Sequence, residues 1–133
     1  MVIRFRSMRT FLCENAPAPV GPYSQACASR DLLFVSGQIG LDPASGRMPD
    51  HLEDQARQAL ENLGAILRSA GLGIEDLVMV NVYMTDLEMF DRFNRIYADK
   101  LVDHRPSRAV VEVSRLPKGA KVEISGIAAM PEK

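Results

Sequence analysis

The chain is poor in the residues that usually mark a chemistry. Tryptophan is absent, aromatics make up 6% of the 133 residues, and there are only two cysteines and two histidines. Two thiols build no disulfide framework, and a chain of this length buries well over half of its unfolded surface without one. Cys13 and Cys27 have no neighbouring base in sequence and read as inert thiols, which suits a reducing, cytoplasmic setting. His51 and His104 lie far apart with no ligand at helical or hairpin spacing, so a metal centre is not expected. Sixteen basic against seventeen acidic residues leave a net charge of -1. That removes a broad attraction to nucleic acid or anionic lipid, and no basic-aromatic alternation is present to stack bases. No apolar run approaches the ~20 residues of a membrane span. The opening MVIRFRSMRTF is basic but lacks the apolar block of a secretory signal, so residues 1–12 are read as a leader and 13–133 as a single domain. No P-loop, dinucleotide fingerprint or nucleophile elbow occurs; Gly71-Leu72-Gly73 follows a helical stretch, which makes it a helix exit.

The remaining composition, 47% hydrophobic and 25% charged, is that of an ordinary globular domain. Residues 24–29 and 32–39 read as two strands turning at Arg30-Asp31. Asp50, with Glu53 three residues on, has the form of a capping box opening a helix. Leu52, Ala56, Ala59, Leu60, Leu63, Leu67 and Ala70 recur at helical spacing, and Gly71 suits the position just past the end. Residues 76–84 alternate Val78, Val80, Val82 and Met84 against Met79, Asn81 and Tyr83, a strand with two unlike faces. Asp86 caps a second helix carrying Phe90, Phe93, Tyr97 and Leu101 on one side. Residues 108–114 and 120–129 read as strands joined by a hairpin turn at Leu116-Pro-Lys-Gly119. The order is ββαβαββ, an α+β arrangement. Right-handed crossovers place both helices on one face of the sheet, and nothing is left to cover the apolar residues of the other. A homo-oligomer packed through its sheets is the expected answer.

Some polar residues stand oddly inside these strands. Ser36-Gly37-Gln38 interrupts an apolar run, Arg108 opens a strand, and Glu123 sits in the last one. A strand glycine often admits a ligand or another backbone, and a buried arginine is costly without a carboxylate or phosphate partner. Each residue also has a plainer reading. Arg108 can be a rim ion pair, Glu123 can pair with Lys121 or Arg115, Tyr23 can be a packing aromatic after a turn, and Asn94 a solvated helix residue.

Several ordered motifs go further. They are Asn15-Ala-Pro-Ala-Pro-Val-Gly-Pro-Tyr-Ser-Gln25, Val35-Ser-Gly-Gln-Ile39, Gln55-Ala-Arg-Gln-Ala-Leu-Glu-Asn-Leu63, Asp86-Leu87 with Phe90 and Asn94, Arg105-Pro-Ser-Arg-Ala-Val-Val-Glu-Val113 and Leu116-Pro-Lys-Gly-Ala-Lys-Val-Glu-Ile124. Each is weak alone; in this order and spacing, over residues 14–129, the chain resembles the Rid/YjgF family, the reactive intermediate deaminases also labelled endoribonuclease L-PSP. The resemblance implies a chorismate-mutase-like fold, a homotrimer with active sites at the subunit interfaces, and hydrolysis of 2-imino acids of the 2-iminobutanoate and 2-iminopropanoate class to 2-keto acids and ammonia, with no cofactor. It implies that Arg108 binds the substrate carboxylate and Glu123 holds or activates water. Tyr23, Ser36, Gly37 and Asn94 match pocket residues, and the backbone at Val110 matches a position that orients the imine.

The chain departs from the family pattern beside the arginine. Archetypal members often carry Ser or Thr and then Cys, where this one has Ala109 and Val110. A hydroxyl and a thiol are therefore missing, and a β-branched side chain narrows the expected pocket. Geometry adds a difficulty. A hairpin turning at Pro117-Lys118 sets Glu112 opposite Glu123, which leaves Arg108 ~13 Å away along the strand, more than one small molecule spans. A bulge, another register, or donation by different subunits would each resolve it. Three functions follow: the imine deaminase, a non-catalytic ligand-binding or regulatory trimer, and the ribonuclease of the family's other label, which the near-neutral charge disfavours.

Overall fold

The computed structural model describes residues 8–131. Six strands make one mixed sheet: β1 (Arg9–Phe11), β2 (Ala26–Ser29), β3 (Leu32–Gln38), β4 (Leu77–Met84), β5 (Ser107–Glu112) and β6 (Val122–Ala129). Their spatial order is β1-β2-β3-β6-β4-β5. Helix α1 (Leu52–Ser69) joins β3 to β4, and α2 (Phe90–Leu101) joins β4 to β5. The single domain is thus α+β, with both helices on one face as the crossover rule requires.

The periodicities explain the layers. Leu52, Ala56, Ala59, Leu60, Leu63 and Leu67 of α1 are all buried, as are Phe93, Tyr97 and Leu101 of α2. They meet Leu33 and Val35 of β3, Val80, Val82 and Met84 of β4, and Val122 and Ile124 of β6. Each leucine so buried contributes about 1.5–3 kcal/mol from the water it leaves. Gly71, at φ 79°, ends α1: its N–H donates to the Arg68 carbonyl and that of Leu72 to Leu67, the Schellman pattern. Asp86 accepts from the Glu88 N–H and caps the short 3-10 turn Leu87–Met89 that leads into α2.

Three expectations are corrected. The N-cap of α1 is His51, with no side-chain cap, so Asp50 and Glu53 do not form a capping box. Arg9–Phe11, within the expected leader, pairs with β2 as an edge strand; three residues are too few to carry a period, and residues 1–7 lie outside those described. The last two strands are not a hairpin. β6 enters between β3 and β4, antiparallel to both, while β5 pairs parallel with β4 at the sheet edge. The Leu116–Gly119 segment is a crossing over the end of β4, with Lys118 and Gly119 at φ 58° and 70°. Turn chemistry reports that the chain bends, not which strand it bends toward.

The opposite sheet face is bare. Leu32, Phe34 and Val111 are 38%, 39% and 45% exposed, and Ile127, paired with Phe34, is half-buried. Val78 is also exposed, but as the extra residue of a bulge where the β4–β6 register shifts between Leu77 and Met79.

Candidate functional site

The residues singled out in sequence gather in two cavities. The first, of about 390 Å³, is lined by Tyr23, Ser36, Gly37 and Glu123, with Pro17, Val20 and Leu41 among its apolar walls and Lys118 beside them. A bulge in β3 builds its floor. Val35 pairs with Gly126 but Gln38 with Ile124, so three steps along β3 match two along β6, and Ser36-Gly37 is pushed out of the regular ladder. Gly37 is required there because a Cβ at that position would stand 2.5 Å from Glu123 Oε2. A carboxylate side chain, not a second backbone, occupies the space that the glycine opens.

Ser36 is anchored by its own groups. Its hydroxyl donates to the Ser24 carbonyl at 2.6 Å and its N–H to the Gln25 carbonyl at 2.9 Å. Tyr23 is 48% exposed and its hydroxyl accepts weakly from the Val20 N–H at 3.4 Å. Glu123 is half-buried, and loss of water raises its carboxyl pKa above the ordinary value. Among the described residues it has no ion-pair partner; Lys121, the neighbour expected to neutralise it, donates Nζ to the Asp50 carbonyl.

Two buried amides that the sequence pattern did not single out hold the cavity walls. Gln25, 1% exposed, accepts from the Cys13 N–H and donates to the carbonyls of Cys13, Ala16 and Pro17. Asn62, fully buried on α1, donates to the carbonyls of Ile39 and Leu41. The signal was present: a carboxamide on the apolar face of a helix or strand must find partners, and irregular loops supply unpaired carbonyls.

The second cavity, of about 280 Å³, is lined by Asn94, Tyr97, Ala98, Arg105, Pro106 and Arg108. The Arg108 guanidinium lies 4.7 Å from the Tyr97 ring centre and 5.8 Å from that of Phe90. Both contacts are within cation–π range. Among the described residues no carboxylate lies within 4.0 Å of Arg108, so the rim ion pair is not observed. Arg105 spends its guanidinium on the carbonyls of Val102 and His104. Val110 shares the helix-covered face with Arg108, packs against the core and lines neither cavity.

Arg108 and Glu123 do not meet within the chain. Arg108 pairs with Val80 on the helix-covered side; Glu123 alternates with the buried Val122 and Ile124 and so faces the bare side. Glu123 lies in the row of Tyr83 and Val111, three positions from Arg108 and two strands away. That is roughly 10 Å along the strands and roughly 10 Å across them. The expected Glu112–Glu123 register is wrong, yet the distance problem is larger than the one it raised.

Chemically, the first cavity offers one proton acceptor in an apolar, partly dry setting, and the second a planar cation ready for a carboxylate. Among the described residues no group of three His, Cys, Asp or Glu side chains is placed to hold a metal, and no helix is long and apolar enough to cross a membrane.

The family model described as Endoribonuclease L-PSP matches residues 13–130. A RutC family protein of Pyrococcus horikoshii is 47% identical over 116 residues, covering 86% of this chain and 92% of that one. A 2-iminobutanoate/2-iminopropanoate deaminase of Escherichia coli is 42% identical over 123 residues, 90% of this chain and 96% of the relative. Among solved structures, Escherichia coli TdcF with bound serine superposes with a TM-score of 0.90 at 38% identity, over 92% of this chain and 99% of that one.

Proposed function

The chain belongs to the endoribonuclease L-PSP family, known also as Rid/YjgF, and from that premise we propose that it hydrolyses small 2-imino acids to 2-keto acids and ammonia. The observation that carries this reading is the pairing of half-sites. One protomer holds an uncompensated carboxylate in one cavity and an uncompensated guanidinium in another, too far apart for a single ligand. In a homotrimer of chorismate-mutase-like protomers packed through the bare sheet faces, Arg108 of one copy and Glu123 of the next form one site.

The chemistry then asks little of the protein. A 2-imino acid presents a carboxylate, which the Arg108 fork takes bidentately, and an electrophilic protonated imine carbon. Backbone groups near Ser36 orient the imine nitrogen; Tyr23 and the apolar walls enclose it, and Asn94 borders the carboxylate. Glu123 accepts a proton from water as its oxygen bonds to the imine carbon. It returns that proton to nitrogen; as the C–N bond breaks, the proton of the new hydroxyl passes to the Glu123 carboxylate and on to solvent, so ammonia leaves and the neutral ketone remains. A carboxyl whose pKa is raised by burial suits both directions of that transfer. No covalent enzyme intermediate is needed, since positioning and general-base help are the usual sources of such an acceleration.

A non-catalytic trimer that binds a small keto or amino acid is the competing reading. It is favoured by Ala109 and Val110, which leave the arginine without a hydroxyl or thiol neighbour. The literal ribonuclease label fits poorly with a net charge of -1 and no aromatic platform. A coupled assay separates them. A threonine dehydratase or an amino acid oxidase generates the imine, and its decay is followed with and without the protein. Accelerated decay supports the deaminase; binding of 2-oxobutanoate with unchanged decay supports the sensor.

A further inference from the structure

Building on the reading of Arg108 as a carboxylate anchor, we propose that the Tyr97 hydroxyl is a second ligand-binding group of the same cavity, donating a hydrogen bond to the carboxylate that Arg108 holds. Tyr97 is 7% exposed, and its hydroxyl, shut off from solvent, has no hydrogen-bond partner. Among the described residues it is the only buried side-chain polar atom left so. The interior amides Gln25, Gln55 and Asn62 all find partners. A buried hydroxyl without a partner costs stability, and phenylalanine would give the same ring packing against Phe93 without that cost.

The surroundings say what the missing partner is. Tyr97 lines the cavity with two arginines and an asparagine and with no acidic residue. Burial raises the phenol pKa even though Arg108 and Arg105 pull it the other way, so the group stays protonated and is a donor. A donor beside two cations calls for an anion. The Arg108 guanidinium lies over the Tyr97 ring, and no carboxylate holds it. For both groups to act, the hydroxyl must become accessible as the guanidinium turns from the ring toward a ligand, so that one carboxylate receives the guanidinium fork and the phenol together.

The test is Tyr97→Phe in the full-length protein. Binding of 2-oxobutanoate and of propanoate, which has a carboxylate but no keto or imine group, is measured by calorimetric titration, and Tm is recorded alongside. The expected result is a Kd for both ligands raised by about 10-fold or more, the effect of one lost hydrogen bond to a charged group, with Tm unchanged or higher. A group with a purely structural partner would show the reverse, a lower Tm and unchanged binding, and that result overturns the proposal. Unchanged binding with unchanged Tm overturns it too, as does failure of the wild-type protein to bind either carboxylate. If propanoate binding weakens in the variant but the wild type does not hydrolyse imines, the deaminase reading falls and the role of Tyr97 stands. If the wild type hydrolyses imines and the variant binds both ligands normally, the deaminase reading stands and the role of Tyr97 falls.

Discussion

The two cavities are built from the same sheet and differ in almost every respect. The Glu123 cavity sits on the bare side, has apolar walls hung from buried amides, and holds an acid with no cation paired to it. The Arg108 cavity sits on the helix side against α2, has an aromatic floor, and holds two cations with no acid. A partly buried charge without a partner destabilises a lone protomer. That two such charges of opposite sign coexist is understandable when each is completed from outside. The bare sheet face has the same character, an apolar surface suited to a copy of itself. On the proposed reading, each cavity is one half of a site that a neighbouring copy completes, and the difference between them is what that reading has to explain.

The comparison breaks most completely if the bare face is spoiled. Phe34→Asp places a charge at the centre of the expected interface, where it cannot be paired. We expect sedimentation to show monomers and the coupled assay to show no acceleration above background. Full activity in a stable monomer would mean that one protomer holds a complete site.

Mixing variants sharpens it. Arg108→Ala and Glu123→Gln should each bring imine hydrolysis close to background when assayed alone. Refolded together in equal amounts, they should recover roughly a quarter of wild-type activity, because a site between neighbours is intact when both of its contributors happen to bring the wild-type half. No recovery from mixed trimers, verified by mass spectrometry, would place both residues in one chain's site.

Much of this was legible in the sequence, for reasons that differ by element. The helices declared themselves through the Leu and Ala spacing of α1 and the Phe93–Tyr97–Leu101 stripe of α2, because a 3.6-residue period has few other causes. Ser36-Gly37 was visible as a flaw in an apolar strand, and the flaw is the bulge under the candidate site. Strand order was not legible. Whether β6 pairs with β5 or inserts between β3 and β4 depends on long-range partners that no local pattern encodes, and the hairpin expectation failed there. Gln25, Asn62 and Tyr97 were missed because their importance lies in which carbonyls or cations surround them. The roles of Arg108 and Glu123 came from family resemblance; residue chemistry alone allowed a rim ion pair for each.

A milder change tests the second cavity alone. Arg108→Lys keeps the charge but loses the planar fork and the stacking on Tyr97 and Phe90. Imine hydrolysis should fall by at least ~10-fold, the ~1.4 kcal/mol of one charge-assisted hydrogen bond, and 2-keto acid binding should weaken with it. The trimer should persist, since the residue sits beside α2 and not on the bare face. Wild-type activity in the lysine variant would return Arg108 to a rim role.

The smallest effect concerns stability at the first cavity, and its sign is opposite to the effect on activity. Burial raises the Glu123 pKa, so the folded state binds this proton more tightly than the unfolded chain does. By linkage, the stability associated with the group is fully present below its unfolded pKa, near 4.5, and is lost as pH rises through the higher folded value. Above that folded value the protein carries a charge it would be more stable without. Glu123→Gln removes that charge while keeping the shape that fits against Gly37. We expect thermal unfolding at pH 7 to show a Tm equal to or a few degrees above wild type, with the difference vanishing below about pH 4.5. A variant that is less stable at pH 7 would reveal a cation paired with Glu123 in the assembled protein. The first cavity would then no longer be the uncompensated half of the site, and the asymmetry between the two cavities would have to be explained by packing alone.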